Sequence, residues 1–121
     1  MSRISFLRSL LFCASILAGL ALWSVPETGT ATQALRGSCN DAAGASICTE
    51  YYDFTPGYVQ DLCEMGGRPY NRGACSRANL VGTCQLAGNI TFYYSTGGTP
   101  YTKASARTHC VADGEARFQT P

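Results

Sequence analysis

The chain has 121 residues, with nine lysines and arginines against eight aspartates and glutamates, and seven cysteines. This length allows one small domain. Charges of either sign are not clustered along the sequence. Binding to nucleic acid or to an anionic membrane surface requires clustered cations, so the sequence gives no support to either partner.

The N-terminal segment differs in chemistry from the rest of the chain. Two early arginines precede an almost unbroken apolar run over residues 9–23, and small polar residues follow. This order is typical of a signal peptide, and the run is shorter than the roughly 20 residues that span a bilayer. We predict that residues 1–34 are a signal peptide cut after Ala31 or Ala34. The protein is then secreted or periplasmic and has no membrane attachment after cleavage; a retained membrane anchor is the alternative.

The cysteines predict a disulfide framework. One of the seven lies in the leader, and six remain: Cys39, Cys48, Cys63, Cys75, Cys84 and Cys110. An even number of cysteines in a short exported chain indicates three disulfides, with 15 possible connectivities. No two cysteines are spaced as in zinc motifs, so we predict no metal and no other cofactor.

An internal repeat organises the domain. Eight residues separate the cysteines of 39–48, and eight separate those of 75–84. Each pair is followed in order by Thr-x-Tyr-Tyr, a third cysteine, a glycine and an aromatic residue. The sequence therefore predicts a duplication within one disulfide-rich domain, residues 35–121, with units at about 39–74 and 75–121.

Local signals predict a strand, a helix and a second strand in each unit. The Thr-x-Tyr-Tyr runs favour strands, whereas Pro at the first turn and Gly at the end favour helices. The predicted strands and helices are Thr49–Tyr52, Pro56–Met65, Arg68–Tyr70, Thr91–Tyr94, Tyr101–Ala112 and Ala116–Gln119. We expect an α+β fold in which both units share one antiparallel sheet with the helices on one face.

Symmetry suggests a disulfide pattern. An odd number of cysteines in each unit requires at least one bond between units. The preferred scheme is Cys48–Cys63 and Cys84–Cys110 within units and Cys39–Cys75 between them, while swapped symmetric schemes stay open.

The Cys-x8-Cys, Thr-x-Tyr-Tyr and Cys-x3-Gly elements resemble those of small, cysteine-rich exported proteins of Gram-negative bacteria. The resemblance spans most of residues 39–118. The resemblance implies that the chain is exported and shares the fold of these proteins. That family has no established activity, so no functional residues carry over from it.

Few residues offer catalytic chemistry. His109 is the single histidine, and no nucleophile motif lies near it, so a helix-surface role is favoured. Asp61 and Glu64 share a helix face at a spacing usually found on solvated surfaces. We assign no catalytic residue and predict that the protein is not an enzyme.

Four tyrosines are the candidate binding residues: Tyr51, Tyr52, Tyr93 and Tyr94. Adjacent residues of a strand point to opposite faces, so one tyrosine of each pair could lie on an uncovered face and bind a glycan or a protein. The alternative is that all four pack the sheet.

The favoured function is a non-enzymatic binding or structural module with an unknown ligand. The alternative function is a small inhibitor or toxin-like effector of a secreted hydrolase, acting through loop 71–74 or loop 97–101. The sequence does not determine the oligomeric state.

Overall fold

The computed structural model describes residues 33–121 of the chain, so the signal-peptide prediction lies outside the described residues. The described part is an α+β domain with a six-stranded antiparallel sheet and two helices. The elements are β1 Gly37–Asp41, β2 Ile47–Tyr51, α1 Pro56–Met65, β3 Tyr70–Asn71, β4 Leu80–Leu86, β5 Asn89–Tyr94, α2 Lys103–Val111 and β6 Arg117–Gln119.

The order of elements corrects one prediction. Each half of the domain begins with a hairpin of two strands, β1–β2 or β4–β5, before its helix and last short strand. The sequence predicted only the second strand of each hairpin. Glycine and polar residues in β1 and β4 lower the local strand signal, and pairing with neighbouring strands overrides it.

Sheet register places both helices on the same face. The strand order is β3-β1-β2-β5-β4-β6. Directly paired residues point to the same side of a sheet. One row of such residues crosses all six strands and consists of Tyr70, Cys39, Thr49, Thr91, Cys84 and Phe118. Cys39 is bonded to a cysteine of α1 and Cys84 to a cysteine of α2, so both helices cover the face on which this row lies.

Both helices begin at a threonine cap. The Thr55 side chain accepts a hydrogen bond from a backbone N–H of α1, and Pro56 occupies the first turn, where its missing N–H costs nothing. In α2 the Thr102 side chain accepts from the Ser105 N–H, and the Ser105 side chain accepts from the Thr102 N–H. This reciprocal capping box starts α2 at Lys103, two residues later than the sequence predicted.

The disulfides correct two of the three predicted pairs. The bonds are Cys39–Cys63, Cys48–Cys75 and Cys84–Cys110. Only the last was in the preferred scheme. Cys48 precedes Thr49, which faces the helices, so its side chain points to the opposite face and cannot reach Cys63 in α1. Cys75 lies on that opposite face and bonds Cys48 there.

Candidate functional site

The four predicted tyrosines do not form an exposed patch. Alternation along β2 and β5 does send the members of each pair to opposite faces, with Tyr51 and Tyr93 on the helix side. The solvent-exposed fractions of Tyr51, Tyr93 and Tyr94 are only 6%, 2% and 3%, and Tyr52 is half-buried. Three of the four tyrosines are therefore buried and the fourth is half-buried, because the second face of the sheet is also covered.

A segment without regular secondary structure covers the second face. We call residues 72–79, between β3 and β4, the strap. The Ser38 hydroxyl donates to the Gly73 carbonyl over 2.8 Å, and the Tyr94 hydroxyl donates to the Ser76 carbonyl over 2.8 Å. These bonds and the disulfide from the strap to β2 explain why the aromatic residues of this face are buried.

A buried carboxylate anchors the strap. Glu50 of β2 is buried, and its oxygens accept from the Cys75 N–H at 2.8 Å and from the Tyr52 hydroxyl. The Arg77 guanidinium binds both oxygens, with Nη1 at 2.9 Å from Oε1 and Nη2 at 3.2 Å from Oε2, and it stacks 4.0 Å from the Phe92 ring centroid. Every polar atom of Glu50 is used inside the fold, so this cluster is structural.

A second polar cluster lies on the helix side. The Tyr93 hydroxyl and His109 Nδ1 are 3.0 Å apart, and the ring of Tyr101 packs edge to face against both side chains. Tyr93 is buried beside Ala106 and Cys110 of α2, Tyr101 is half-buried and His109 is exposed. The ring of His109 therefore connects a buried hydroxyl to solvent. We call Tyr93, Tyr101 and His109 the polar aromatic cluster.

Burial holds the tyrosine hydroxyls in their protonated form. It raises the pKa of Tyr93 to about 12, with a smaller contribution from Tyr101. Burial, followed by the hydrogen bond and the charge of Glu50, likewise raises the pKa of Tyr52 to about 12, although Arg77 opposes this. Tyr93 therefore remains a neutral hydroxyl near pH 7. When it donates to Nδ1, the neutral imidazole carries its proton on Nε2.

The corresponding place in the first half has a tyrosine but no histidine. There the ring of Tyr51 packs edge to face on Phe54, 5.7 Å between centroids, just as Tyr93 packs on Tyr101 at 4.8 Å. Leu62 stands one residue before the disulfide cysteine of α1, as His109 stands one residue before that of α2. The tyrosine packs edge to face on an aromatic ring in both halves, but within residues 33–121 only the second half joins that tyrosine's hydroxyl to a helix side chain by a hydrogen bond.

An exposed loop leads into the polar aromatic cluster. Residues 95–100 are all exposed, yet their backbone is tied to the β1–β2 turn. The Gly98 N–H donates to the Ala43 carbonyl at 2.8 Å, and the Thr99 N–H donates to the Ser46 hydroxyl at 3.0 Å. The loop therefore offers its side chains to solvent on a restrained backbone.

The sequence pointed to only part of this site. It singled out the histidine and the tyrosines separately, and nothing in their spacing showed that His109 and Tyr93 would touch, since they are 16 residues apart. The acidic pair Asp61 and Glu64 is exposed on α1, away from the cluster's hydrogen bond. Within residues 33–121 no three His, Cys, Asp or Glu side chains are grouped to hold a metal ion.

Neither helix of residues 33–121 has the length and apolar character needed to cross a membrane. A scan against protein-family models and searches of curated proteins and of solved structures found no match to the chain.

Proposed function

We propose that the chain is an exported, non-enzymatic binding module whose recognition surface is the polar aromatic cluster together with loop 95–100. The observation that carries this proposal is the exposed His109 imidazole, held by the Tyr93 hydroxyl at 3.0 Å and flanked by Tyr101. A polar group fixed in one orientation beside aromatic surface can select a ligand with little loss of side-chain entropy.

The fold supports the exported, non-catalytic part of the proposal. Three disulfides staple one small domain, and such bonds persist in oxidising compartments outside the cytoplasm. All six cysteines of the described chain are bonded, so none is a free nucleophile. A glycan or a protein surface is the ligand class that we favour, since aromatic rings and hydrogen-bonding edges serve both.

The experiment is a binding screen of the purified mature protein against arrays of glycans and of extracytoplasmic proteins. Any hit is then measured with Tyr101→Ala and His109→Ala. We expect each to weaken binding at least tenfold. Phe54→Ala is the matched control, because Phe54 packs on Tyr51 as Tyr101 packs on Tyr93. Equal losses from Phe54→Ala and Tyr101→Ala would contradict this location of the site.

Inhibition of a secreted hydrolase is the second candidate function, favoured by the restrained and exposed backbone of loop 95–100. Residues 71–74 are exposed as well. A Cβ at Gly98 would lie 2.2 Å from the Gly44 carbonyl oxygen, so Gly98→Ala must displace the loop, whereas Thr96→Ala removes only an exposed side chain. Against a panel of secreted hydrolases, an inhibitor loses potency with Gly98→Ala. A binding module that uses the polar aromatic cluster inhibits none of them.

We also infer that the domain is a duplication of one strand-strand-helix-strand unit, with the two copies related by an axis between Thr49 and Thr91. Their hydroxyls lie 3.1 Å apart in the central β2–β5 pair. Cys39 pairs with Thr49 and Cys84 pairs with Thr91, so Cys39 and Cys84 occupy equivalent positions, and each is bonded to a cysteine of its own helix. The sequence repeat had instead aligned Cys39 with Cys75.

Equivalent positions in related units should respond alike to substitution. Thr55→Ala and Thr102→Ala each remove a helix cap, and each is expected to lower the free energy of unfolding by about 1 kcal/mol. Urea unfolding of the two variants measures this. Strongly unequal losses would count against equivalence of the two helices.

A further inference from the structure

We infer that two copies of the chain associate through their helix layers, with α1 of each copy packed antiparallel on α2 of the other. Within residues 33–121 the exposed large hydrophobic side chains are Tyr58, Met65 and Val111, with exposed fractions of 50%, 77% and 53%. All three lie on the two helices, which cover the same face of the sheet. This helix layer is therefore the face whose apolar side chains a partner would remove from water.

The exposed side of α1 combines two of these apolar side chains with a charge. Val59 and Cys63 point into the domain and are fully buried. Tyr58, Asp61 and Met65 follow one another at intervals of three and four residues, so they share one side of the helix, and all are exposed. The outward side of α1 thus offers apolar contact area around a carboxylate.

The two helices carry opposite charges. Asp61 and Glu64 are the charged residues of α1, which contains no basic residue. Lys103 and Arg107 lie in α2, which contains no acidic residue, and all four of these side chains are exposed. Juxtaposed like charges oppose association, whereas opposite charges favour it. Each helix should therefore repel the same helix of another copy, while α1 and α2 of different copies attract each other.

Symmetry and charge together select one arrangement. Because β2 and β5 are antiparallel and each helix returns over the sheet from the end of its strand, α1 and α2 run in opposite directions. A twofold axis can place two helix layers face to face in two ways. An axis across the strands sets α1 on α1, so like charges meet. An axis along the strands sets α1 antiparallel on α2 of the other copy, so opposite charges meet.

The favoured arrangement also matches the apolar side chains. The start of α1 then lies over the end of α2 of the other copy, which brings Tyr58 to Val111 and Asp61 near Arg107. Met65, at the end of α1, lies over the start of α2, where the exposed side chains after the first residue are alanine and serine and leave room for it. Each of these contacts occurs twice, because a twofold interface pairs the same two surfaces in both directions.

This inference goes beyond the ligand-binding proposal and does not depend on it. His109 and Val111 are two residues apart in α2, so they lie on opposite sides of the helix. His109 contacts Tyr93 of β5, whereas Val111 is exposed. The association is therefore measured without a ligand, and its failure would leave the ligand-binding proposal standing.

The test follows the mass of the purified, oxidised mature protein by sedimentation equilibrium from about 1 μM to about 1 mM. We expect a concentration-dependent equilibrium between monomer and dimer. Asp61→Lys with Glu64→Lys makes both helices basic, and Lys103→Glu with Arg107→Glu makes both acidic. Each double variant should raise the dissociation constant by about tenfold or more. A protein that stays monomeric over the whole range would overturn the inference.

Mixing the two double variants tests the pairing itself. In a mixed dimer the new lysines of one α1 face the new glutamates of the other α2, and the second contact joins two unchanged helices. An equimolar mixture should therefore regain dimers, which damaged folds would not do. Arg72→Glu, on the strap, is the matched control and should change the dissociation constant by less than about twofold. A mixture that stays monomeric, or equal weakening by Arg72→Glu, would overturn the pairing of α1 with α2.

Discussion

The anchor of the strap can be tested by removing the cation that faces the buried carboxylate of Glu50. Arg77→Met keeps much of the side-chain volume and deletes the guanidinium. The Glu50 side chain is 1% exposed and would keep only the hydrogen bonds from the Cys75 N–H and the Tyr52 hydroxyl. Breaking a buried ion pair by removing one partner costs about 3–5 kcal/mol. Because the Arg77 side chain is 55% exposed, water screens the pair, and we expect a loss of about 2–3 kcal/mol.

A double-mutant cycle separates the interaction energy of Glu50 and Arg77 from the other effects of the two substitutions. Glu50→Gln removes the buried charge but leaves Arg77 free to be hydrated, so its cost should be about 1–3 kcal/mol. Joining it with Arg77→Met leaves no unpaired charge. The double variant should therefore be more stable than the sum of the two single losses predicts, by about 1–3 kcal/mol.

The assay is urea unfolding of the oxidised protein, with the free energy extrapolated to zero denaturant and the slope compared among variants. Arg72→Met is the matched control, because Arg72 is an exposed arginine of the same strap, and it should change stability by less than about 0.5 kcal/mol. If Arg77→Met costs no more than Arg72→Met, or if the double variant is additive, the ion pair does not hold the strap.

Three further predictions concern packing, pH and the disulfides. A Cβ at Gly82 would lie 2.3 Å from Phe118 Cζ, so Gly82→Ala should lower the free energy of unfolding by about 1–3 kcal/mol, as measured by thermal and urea unfolding. Gly57→Ala is the control, because a Cβ at Gly57 meets no atom within 4 Å and should not destabilise the domain. The pKa of Tyr52 and of Tyr93 is raised from 10.0 to about 12, and burial also raises the pKa of Tyr94. The unfolded chain therefore releases these protons first, and stability falls as pH rises from 10 to 12. Ultraviolet titration of tyrosinate should show three groups that titrate later than the other tyrosines, and a single transition near pH 10 would contradict this. The disulfides close loops with sequence separations of 24, 27 and 26, and each is expected to contribute about 3.5 kcal/mol to the free energy of unfolding. Full reduction should therefore unfold the domain, as seen by circular dichroism. A native spectrum after reduction would refute this.

Local chemistry determined the helices and the central strands. The helix Pro56–Met65 was predicted with the bounds that the structure has, because proline at the first turn and the following glycines act within a few residues. The strand tendency of the two Thr-x-Tyr-Tyr runs is equally local, and both lie in β2 and β5, apart from Tyr52, the residue just after β2. The α+β class and a framework of three disulfides followed from these features and from the number of cysteines.

Only the tertiary structure decided which cysteines meet and which tyrosines are exposed. Both depend on strand register, because one step along a strand moves a side chain to the other face. Cys48 therefore bonds the strap and not α1. The strap has no local signal of its own, yet it buries Tyr94 on the face that the sequence left open. The contact between Tyr93 and His109 likewise requires β5 and α2 to pack against each other, and no pattern within either element encodes it.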